Sequence, residues 1–207
     1  MHVSPGRLIG EGSRRMRLGL LVSGRGSNLN AVLEAVASGE LPGMEPTIVI
    51  SNRPGVAAFE VAARHGVPAQ VLERAVFANA SARDRAIGQA LTDAGVELAV
   101  LAGYDQLLRP SYFEAYAGRT INIHPSLLPA HGGKGMMGLA VHRSVLAAGD
   151  ERTGVTIHEV TQELDAGPPL LQAEVPVMPG DDAERLAERV LAVEHRSLVE
   201  VLRRLSS

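Results

Sequence analysis

The chain has 207 residues, of which 45% are hydrophobic, and its formal net charge is −3. A chain of this size suits one globular domain. It has no dense run of Lys and Arg, so no basic patch for binding nucleic acid or an anionic membrane is predicted. The absence of cysteine excludes disulfides, thiolate metal sites and cysteine nucleophiles, so we expect small-molecule partners and a cytoplasmic location.

The amino terminus differs from the rest of the chain. Residues 1–15 are rich in Gly, Ser and Arg and have no periodicity, which predicts a disordered extension before a single domain over residues 16–207. No apolar run reaches the ~20 residues of a membrane span, and the first residues lack the apolar core of a secretion signal.

Strand and helix patterns alternate through most of the chain, with apolar strands at residues 16–22, 47–50, 69–72, 97–102 and 120–123. Helical patterns lie between them, including one over 82–94 that Ser81 can cap, and another follows at 139–148. The segments 153–160 and 170–177 then alternate without a helix between them. We therefore expect an α/β fold with a doubly wound, mainly parallel sheet and an antiparallel carboxyl-terminal portion, closed by a helix capped by Asp181 or Asp182.

A Gly-rich turn joins the first strand to the first helix. Residues 24–28 read Gly-Arg-Gly-Ser-Asn, and two glycines there allow backbone N–H groups to surround a phosphate at a helix amino terminus. An ordinary tight turn with a Ser or Asn cap explains the same residues equally well. The dinucleotide fingerprint is absent, because no third glycine follows and Asn52, not an acidic residue, ends the second strand.

A second motif follows the last parallel strand. Alternation places Asn122 and His124 on one face, and Pro125 then forces the chain into a loop across the carboxyl edge of the sheet. Asp165 lies in a turn-rich loop, from which a carboxylate could support the imidazole while the Asn122 amide stabilises an oxyanion. The plainer alternatives are a structural histidine and an Asx-turn aspartate. His131, His142 and His158 carry less weight than His124, and since no pair of histidines has ligand spacing, we expect no metal.

Three motifs together resemble one family: Ser-Gly-Arg-Gly-Ser-Asn-Leu at 23–29, Ile-Asn-Ile-His-Pro-Ser-Leu-Leu-Pro at 121–129, and Glu-Leu-Asp-Ala-Gly-Pro at 163–168. The chain resembles the phosphoribosylglycinamide formyltransferases of purine synthesis from Met16 to near its carboxyl terminus. The resemblance implies a formyltransferase-like Rossmann-type fold. It also implies transfer of the formyl group of 10-formyltetrahydrofolate, the co-substrate, to N1-(5-phosphoribosyl)glycinamide by a monomer or homodimer.

The resemblance also assigns roles to single residues. The resemblance implies that the catalytic residues are Asn122, His124 and Asp165, and that the substrate phosphate is bound by Gly26, Ser27 and Asn28. It also implies that Glu194 contacts the glycinamide substrate. By its position alone, Glu194 would be predicted to lie on the solvated face of a helix. Folate binding is implied for Asp105, Gln106, Leu107, Leu108, Asn122, Val160 and Thr161.

The chain departs from the family pattern in three places. The family usually has basic residues where Gln106 and Ala80 stand, and the loop 131–138 is longer than usual. The alternatives are a formyltetrahydrofolate hydrolase or a formyltransferase acting on charged initiator tRNA, each with an added domain for which we expect no room here. A non-catalytic nucleotide-binding module is a further alternative.

Overall fold

The computed structural model describes residues 14–206, so most of the predicted extension at 1–15 lies outside the described residues. Seven strands form one sheet in the described part: β1 (Met16–Val22), β2 (Met44–Ser51), β3 (Ala69–Val71), β4 (Leu98–Leu101), β5 (Arg119–His124), β6 (Arg152–Glu159) and β7 (Pro169–Pro176). The helices are α1 (Ser27–Ala37), α2 (Ala58–Arg64), α3 (Ala80–Asp93), α4 (Pro110–Ala115), α5 (Leu139–Ala148) and α6 (Ala183–Leu205).

The strand order is β3-β2-β1-β4-β5-β6-β7. All pairs from β3 to β5 are parallel, whereas β6 runs antiparallel to both β5 and β7. The prediction of a mainly parallel sheet with an antiparallel carboxyl-terminal portion is therefore confirmed. The order reverses between β1 and β4, and ligands of open α/β sheets bind outside the carboxyl ends of the strands at such a switch point.

Two apolar cores cover the two faces of the sheet. Successive residues of β1 contribute to different cores, Leu20 to one and Leu21 to the other, because side chains alternate along a strand. The core on the Leu20 side includes residues of α1, α2, α5 and α6, and the core on the Leu21 side includes residues of α3 and α4. A segment buried on both faces must be apolar throughout, which explains the uncharged, mostly hydrophobic run at residues 18–22 of β1.

Helix caps set two helix starts. The Asn79 side chain accepts a 2.8 Å hydrogen bond from the Ala82 N–H, so α3 begins at Ala80 and the predicted cap at Ser81 is wrong. At α6, Asp182 is the cap and accepts from the Arg185 N–H at 2.8 Å. Between residues 14 and 206, no helix combines the length and the apolar character that crossing a membrane requires.

Candidate active site

A cavity of about 1040 Å³ opens at the carboxyl ends of the parallel strands. It lies where the reversal of strand order predicts a ligand site. Every residue that the sequence predicts for the site lines this one cavity: Gly26, Ser27, Asn28, Asp105, Gln106, Leu107, Leu108, Asn122, His124, Val160, Thr161, Asp165 and Glu194. Segments distant in the sequence therefore meet around one space.

The Gly-rich turn forms one end of the cavity. Gly26 has a φ of 75°, and a Cβ added there would lie 2.8 Å from Cα of Ala58, so the position requires glycine. Helix α1 starts at Ser27 without a side-chain cap. The first N–H groups of a helix have no partner within the helix and carry its positive dipole end, so this end of the cavity suits an anion.

A buried carboxyl group lies at the same end of the cavity. Glu194 is 8% exposed, so it does not belong to the solvated face of α6. Burial raises the pKa of the Glu194 carboxyl to about 7, and a hydrogen bond with the Asn28 side chain offsets only part of this effect. Asn28 is also buried, and its Oδ1 has no hydrogen-bond partner among the described residues. Both groups are therefore able to bind a polar ligand.

His124 and Asp165 meet in another part of the same cavity. Nε2 of His124 lies 2.9 Å from the carbonyl oxygen of His131, and Nδ1 lies 3.9 Å from Oδ2 of Asp165. Because a carbonyl oxygen only accepts, Nε2 carries a proton and Nδ1 faces the carboxylate. The Asp165 carboxylate also accepts a 2.8 Å hydrogen bond from the Gly133 N–H, so it joins two loops instead of closing its own.

His158 also belongs to this group, although no motif of the sequence indicates it. Its Nδ1 donates to the Glu159 carbonyl at 2.8 Å, which leaves Nε2 to accept from Nδ2 of Asn122 at 3.2 Å. Nε2 also lies 3.8 Å from Oδ1 of Asp165. Burial lowers the pKa of His158, although the Glu159 carbonyl and the Asp165 charge oppose this. A neutral His158 thus orients the Asn122 amide.

His142 is a second histidine that sequence reasoning set aside. It lies on α5, is buried, and lines the cavity. Burial lowers its pKa, with a smaller contribution from His124 in the same direction. Its Nδ1 has no hydrogen-bond partner within the described part of the chain. The helical spacing of α5 could have indicated that His142 faces inward with Val141 and Val145, since all three are buried.

The loop after β4 is held by a polar network. The Ser23 hydroxyl donates to Oδ1 of Asn52 at 2.7 Å, and Nδ2 of Asn52 donates to Oδ1 of Asp105 at 2.9 Å. The Asp105 N–H in turn donates to Oγ of Ser23 at 2.9 Å. Burial raises the pKa of Asp105, but hydrogen bonds from Gln106 and Asn52 outweigh burial and leave this pKa below its usual value. The network ties the ends of β1, β2 and β4 together.

A basic side chain does approach Gln106. Nη1 of Arg83 on α3 donates to the Gln106 side chain at 3.2 Å, and the Arg83 guanidinium pairs with the Asp84 carboxylate at 2.6 Å. Arg83 is 1% exposed and Asp84 is fully buried. The buried Arg83 guanidinium therefore links α3 to the loop that contains Gln106. For residues 14–206, the structure contains no group of three His, Asp or Glu side chains arranged to hold a metal ion.

Comparison with known proteins agrees with this architecture. The Formyl transferase family matches residues 16–202. The Escherichia coli (strain K12) phosphoribosylglycinamide formyltransferase is 38% identical over 180 residues, which are 87% of this chain and 82% of that protein. The crystal structure of glycinamide ribonucleotide transformylase 1 from Symbiobacterium toebii is 40% identical and superimposes with a TM-score of 0.88, covering 99% of this chain and 93% of that one.

A longer relative matches equally well over a limited part of its length. The trifunctional purine biosynthetic protein adenosine-3 of Drosophila pseudoobscura pseudoobscura is 38% identical over 194 residues, which are 93% of this chain but 14% of that protein. The chain thus spans about a seventh of such trifunctional relatives. Since the family matches residues 16–202 and the Escherichia coli and Symbiobacterium toebii proteins are matched over 82% and 93% of their lengths, the chain belongs to the phosphoribosylglycinamide formyltransferase branch of the formyl transferase family.

Proposed function

We propose that this protein transfers the formyl group of 10-formyltetrahydrofolate to the amine of N1-(5-phosphoribosyl)glycinamide, a step of purine biosynthesis. The observation that carries the proposal is the convergence of Asn122, His124 and Asp165 in one cavity that also contains the amino terminus of α1. Such a cavity offers N–H groups for a phosphate, apolar surface for a ring system and polar side chains for the reaction.

The glycinamide substrate occupies the α1 end in this proposal. Its phosphate accepts from the N–H groups of Gly26, Ser27 and Asn28, where the helix dipole favours negative charge. Glu194 contacts the remainder of this substrate from α6. With a pKa of about 7, the Glu194 carboxyl is partly protonated at neutral pH and either donates or accepts a hydrogen bond.

The folate co-substrate occupies the side formed by the loops after β4 and β6. Leu107, Leu108 and Val160 supply apolar surface for a ring, and Asp105 with the neighbouring main chain supplies polar contacts. Gln106 and Thr161 lie on the same lining. The volume of about 1040 Å³ accommodates a folate together with a ribonucleotide.

The chemistry is acyl transfer from one nitrogen to another. The substrate amine forms a bond to the formyl carbon, and the bond from that carbon to N10 of the folate then breaks. One proton passes from the attacking amine to N10, and the Asp165 carboxylate is placed to assist its movement. The Asn122 amide and protonated Nδ1 of His124 stabilise the oxyanion of the tetrahedral intermediate.

A spectroscopic assay of formyl-folate consumption tests this function. Wild-type protein should consume 10-formyltetrahydrofolate only when the glycinamide ribonucleotide is present, and a His124→Ala variant should lose ~10² to 10³ of the turnover, as expected for removal of a preorganised donor. A variant with the exposed Glu114 changed to Gln is the control for handling and folding.

The same assay distinguishes the alternatives. Consumption of formyl-folate without the ribonucleotide would favour a hydrolase, and binding of the ribonucleotide without any consumption would favour a non-catalytic nucleotide-binding module. Near-normal kcat in folded His124→Ala protein would contradict the role of His124. A metal-free enzyme of the cytoplasm that is a monomer or homodimer stays our prediction, and the absence of cysteine agrees with a reducing compartment.

A further inference from the structure

We propose that His131 is a positioning residue that sets the orientation and protonated nitrogen of His124. The inference rests on the proposed function and adds to it a residue outside the predicted site. The carbonyl oxygen of His131 accepts the 2.9 Å hydrogen bond from Nε2 of His124. The placement of this carbonyl therefore decides where the His124 ring points.

The His131 ring is fixed at both nitrogens. Nδ1 lies 2.8 Å from Oγ of Ser144 on α5, and Nε2 lies 2.6 Å from Oδ2 of Asp150, just beyond that helix. With its proton on Nε2, the ring donates to the carboxylate and accepts from the Ser144 hydroxyl, so both ring nitrogens are paired. The side chain is 13% exposed. These contacts anchor the start of the long loop 131–138 to α5.

The backbone at His131 is in an unusual conformation. Its φ is 53°, and among residues 14–206 the other non-glycine residue with a positive φ is Asp165. Such a conformation costs of order 1 kcal/mol or more for a non-glycine residue and persists only where surrounding contacts hold it. The two ring contacts of His131 are contacts of this kind, so they hold the turn that aims its carbonyl at His124.

The same segment also holds Asp165. Two residues after His131, the Gly133 N–H donates a 2.8 Å hydrogen bond to Oδ2 of Asp165. Residues 131–133 therefore fix the imidazole through an acceptor and the carboxylate through a donor. Loss of the anchor at His131 allows both groups to move relative to each other.

The chemical consequence concerns the His124 tautomer. In the neutral ring, the carbonyl keeps the proton on Nε2 and leaves Nδ1 facing the Asp165 carboxylate at 3.9 Å. When the ring binds a second proton, this proton lies on Nδ1, from which it donates to the oxyanion in the proposed reaction. If the carbonyl is displaced, the other tautomer and other ring orientations become populated, and the fraction of molecules ready for reaction falls.

The test uses full-length protein with His131→Gly, because glycine accepts a positive φ and keeps the carbonyl while removing the anchor. We expect kcat to fall ~10- to 100-fold, since residues that orient a reacting group have effects of this size, while KM for both substrates stays within about threefold. Ser144→Ala and Asp150→Ala each remove one contact and should lower kcat by roughly three- to tenfold on the same grounds.

The spectroscopic readout is the ¹⁵N NMR signal of the His124 ring, which reports the protonated nitrogen without any turnover. Wild-type protein should show the Nε2–H tautomer, and the variants should show a mixture. The control is Glu114→Gln, which breaks another 2.6 Å ion pair, the one with Arg85, away from the cavity.

The outcomes separate this inference from the proposed function. Unchanged kcat and an unchanged His124 signal in the three variants would overturn the positioning role while wild-type transfer still stands. Absence of transfer in the wild type would overturn the function, and the NMR comparison would still decide the role of His131. If His131→Gly fails to fold, the variants at Ser144 and Asp150 decide the question.

Discussion

The two ends of the cavity are constructed from different parts of the chain. At the α1 end, contiguous main-chain groups of residues 24–28 form the lining, and their conformation depends on glycine. Around His124, the lining consists of side chains: Asn122 and His124 come from β5, and Asp165 comes from the loop after β6. The rings of His124 and His158 are each held by a backbone carbonyl, that of His131 and that of Glu159.

This difference has a physical consequence. A site made of consecutive N–H groups needs the correct local turn, whereas a site made of convergent side chains needs several long-range contacts at once. Substitutions in the α1 turn should therefore act mainly on folding and ligand affinity. Substitutions around His124 should act mainly on turnover. Three experiments test this contrast.

The largest effect is expected for Asp165→Asn. Asparagine tolerates the left-handed conformation of this position, where φ is 53°, and its carbonyl can accept from the Gly133 N–H, so folding should be retained. Turnover should fall ~10² to 10³-fold, because the negative charge beside the imidazole is lost. Steady-state kinetics and the melting temperature measure the two quantities.

Asp93→Asn, an exposed carboxylate on α3, is the matched control for Asp165→Asn. It should keep both turnover and melting temperature. A drop in melting temperature in proportion to the loss of activity of Asp165→Asn would mean that this end also acts through folding, and the contrast between the ends would then be wrong.

The next effect is expected at the α1 end, for Gly26→Ala. A Cβ there lies 2.8 Å from Ala58, and φ is 75°, so the free energy of unfolding should decrease by roughly 2 to 4 kcal/mol. Urea denaturation measures this value. Gly24→Ala is the control, because a Cβ at Gly24 meets nothing within 4 Å. Equal stability of the two variants would show that the turn does not depend on the close approach at Gly26.

The smallest effect concerns the pH dependence of stability, through Glu194→Gln. Burial raises the pKa of this carboxyl from 4.5 to about 7 in the folded protein, so the folded state binds more protons than the unfolded state between these values. The stabilising contribution is complete below pH 4.5 and is lost as the pH rises through about 7. Between pH 5 and pH 8, the free energy of unfolding should decrease by about 2 kcal/mol more in the wild type than in the variant.

Urea denaturation of both proteins at the two pH values measures this difference. If wild type and variant lose stability in parallel, Glu194 is ionised in the folded protein at neutral pH. The α1 end would then contain a carboxylate beside the anion position, contrary to the proposal.

The sequence predicted the fold and one end of the site better than the other end. Strand β1 and helix α5 begin and end where periodicity placed them, and the Gly-rich turn is a local pattern. The role of His158 could not be predicted, because its position opposite Asn122 depends on the antiparallel register of β5 and β6, which strand alternation does not specify. The burial of Glu194 was missed for a similar reason, since the angle at which α6 packs decides which of its polar residues is covered.

The pairing of the central strands also determines when the cavity can exist during folding. Leu18 of β1 pairs with Leu98 of β4, which is 80 residues later in the chain. The middle of the sheet is therefore incomplete until β4 is present. Contacts of such wide sequence separation form slowly. During synthesis, an emerging chain that ends before β4 contains only the β1 side of the cleft at the switch point, and its apolar central strand stays open to aggregation until the later half arrives.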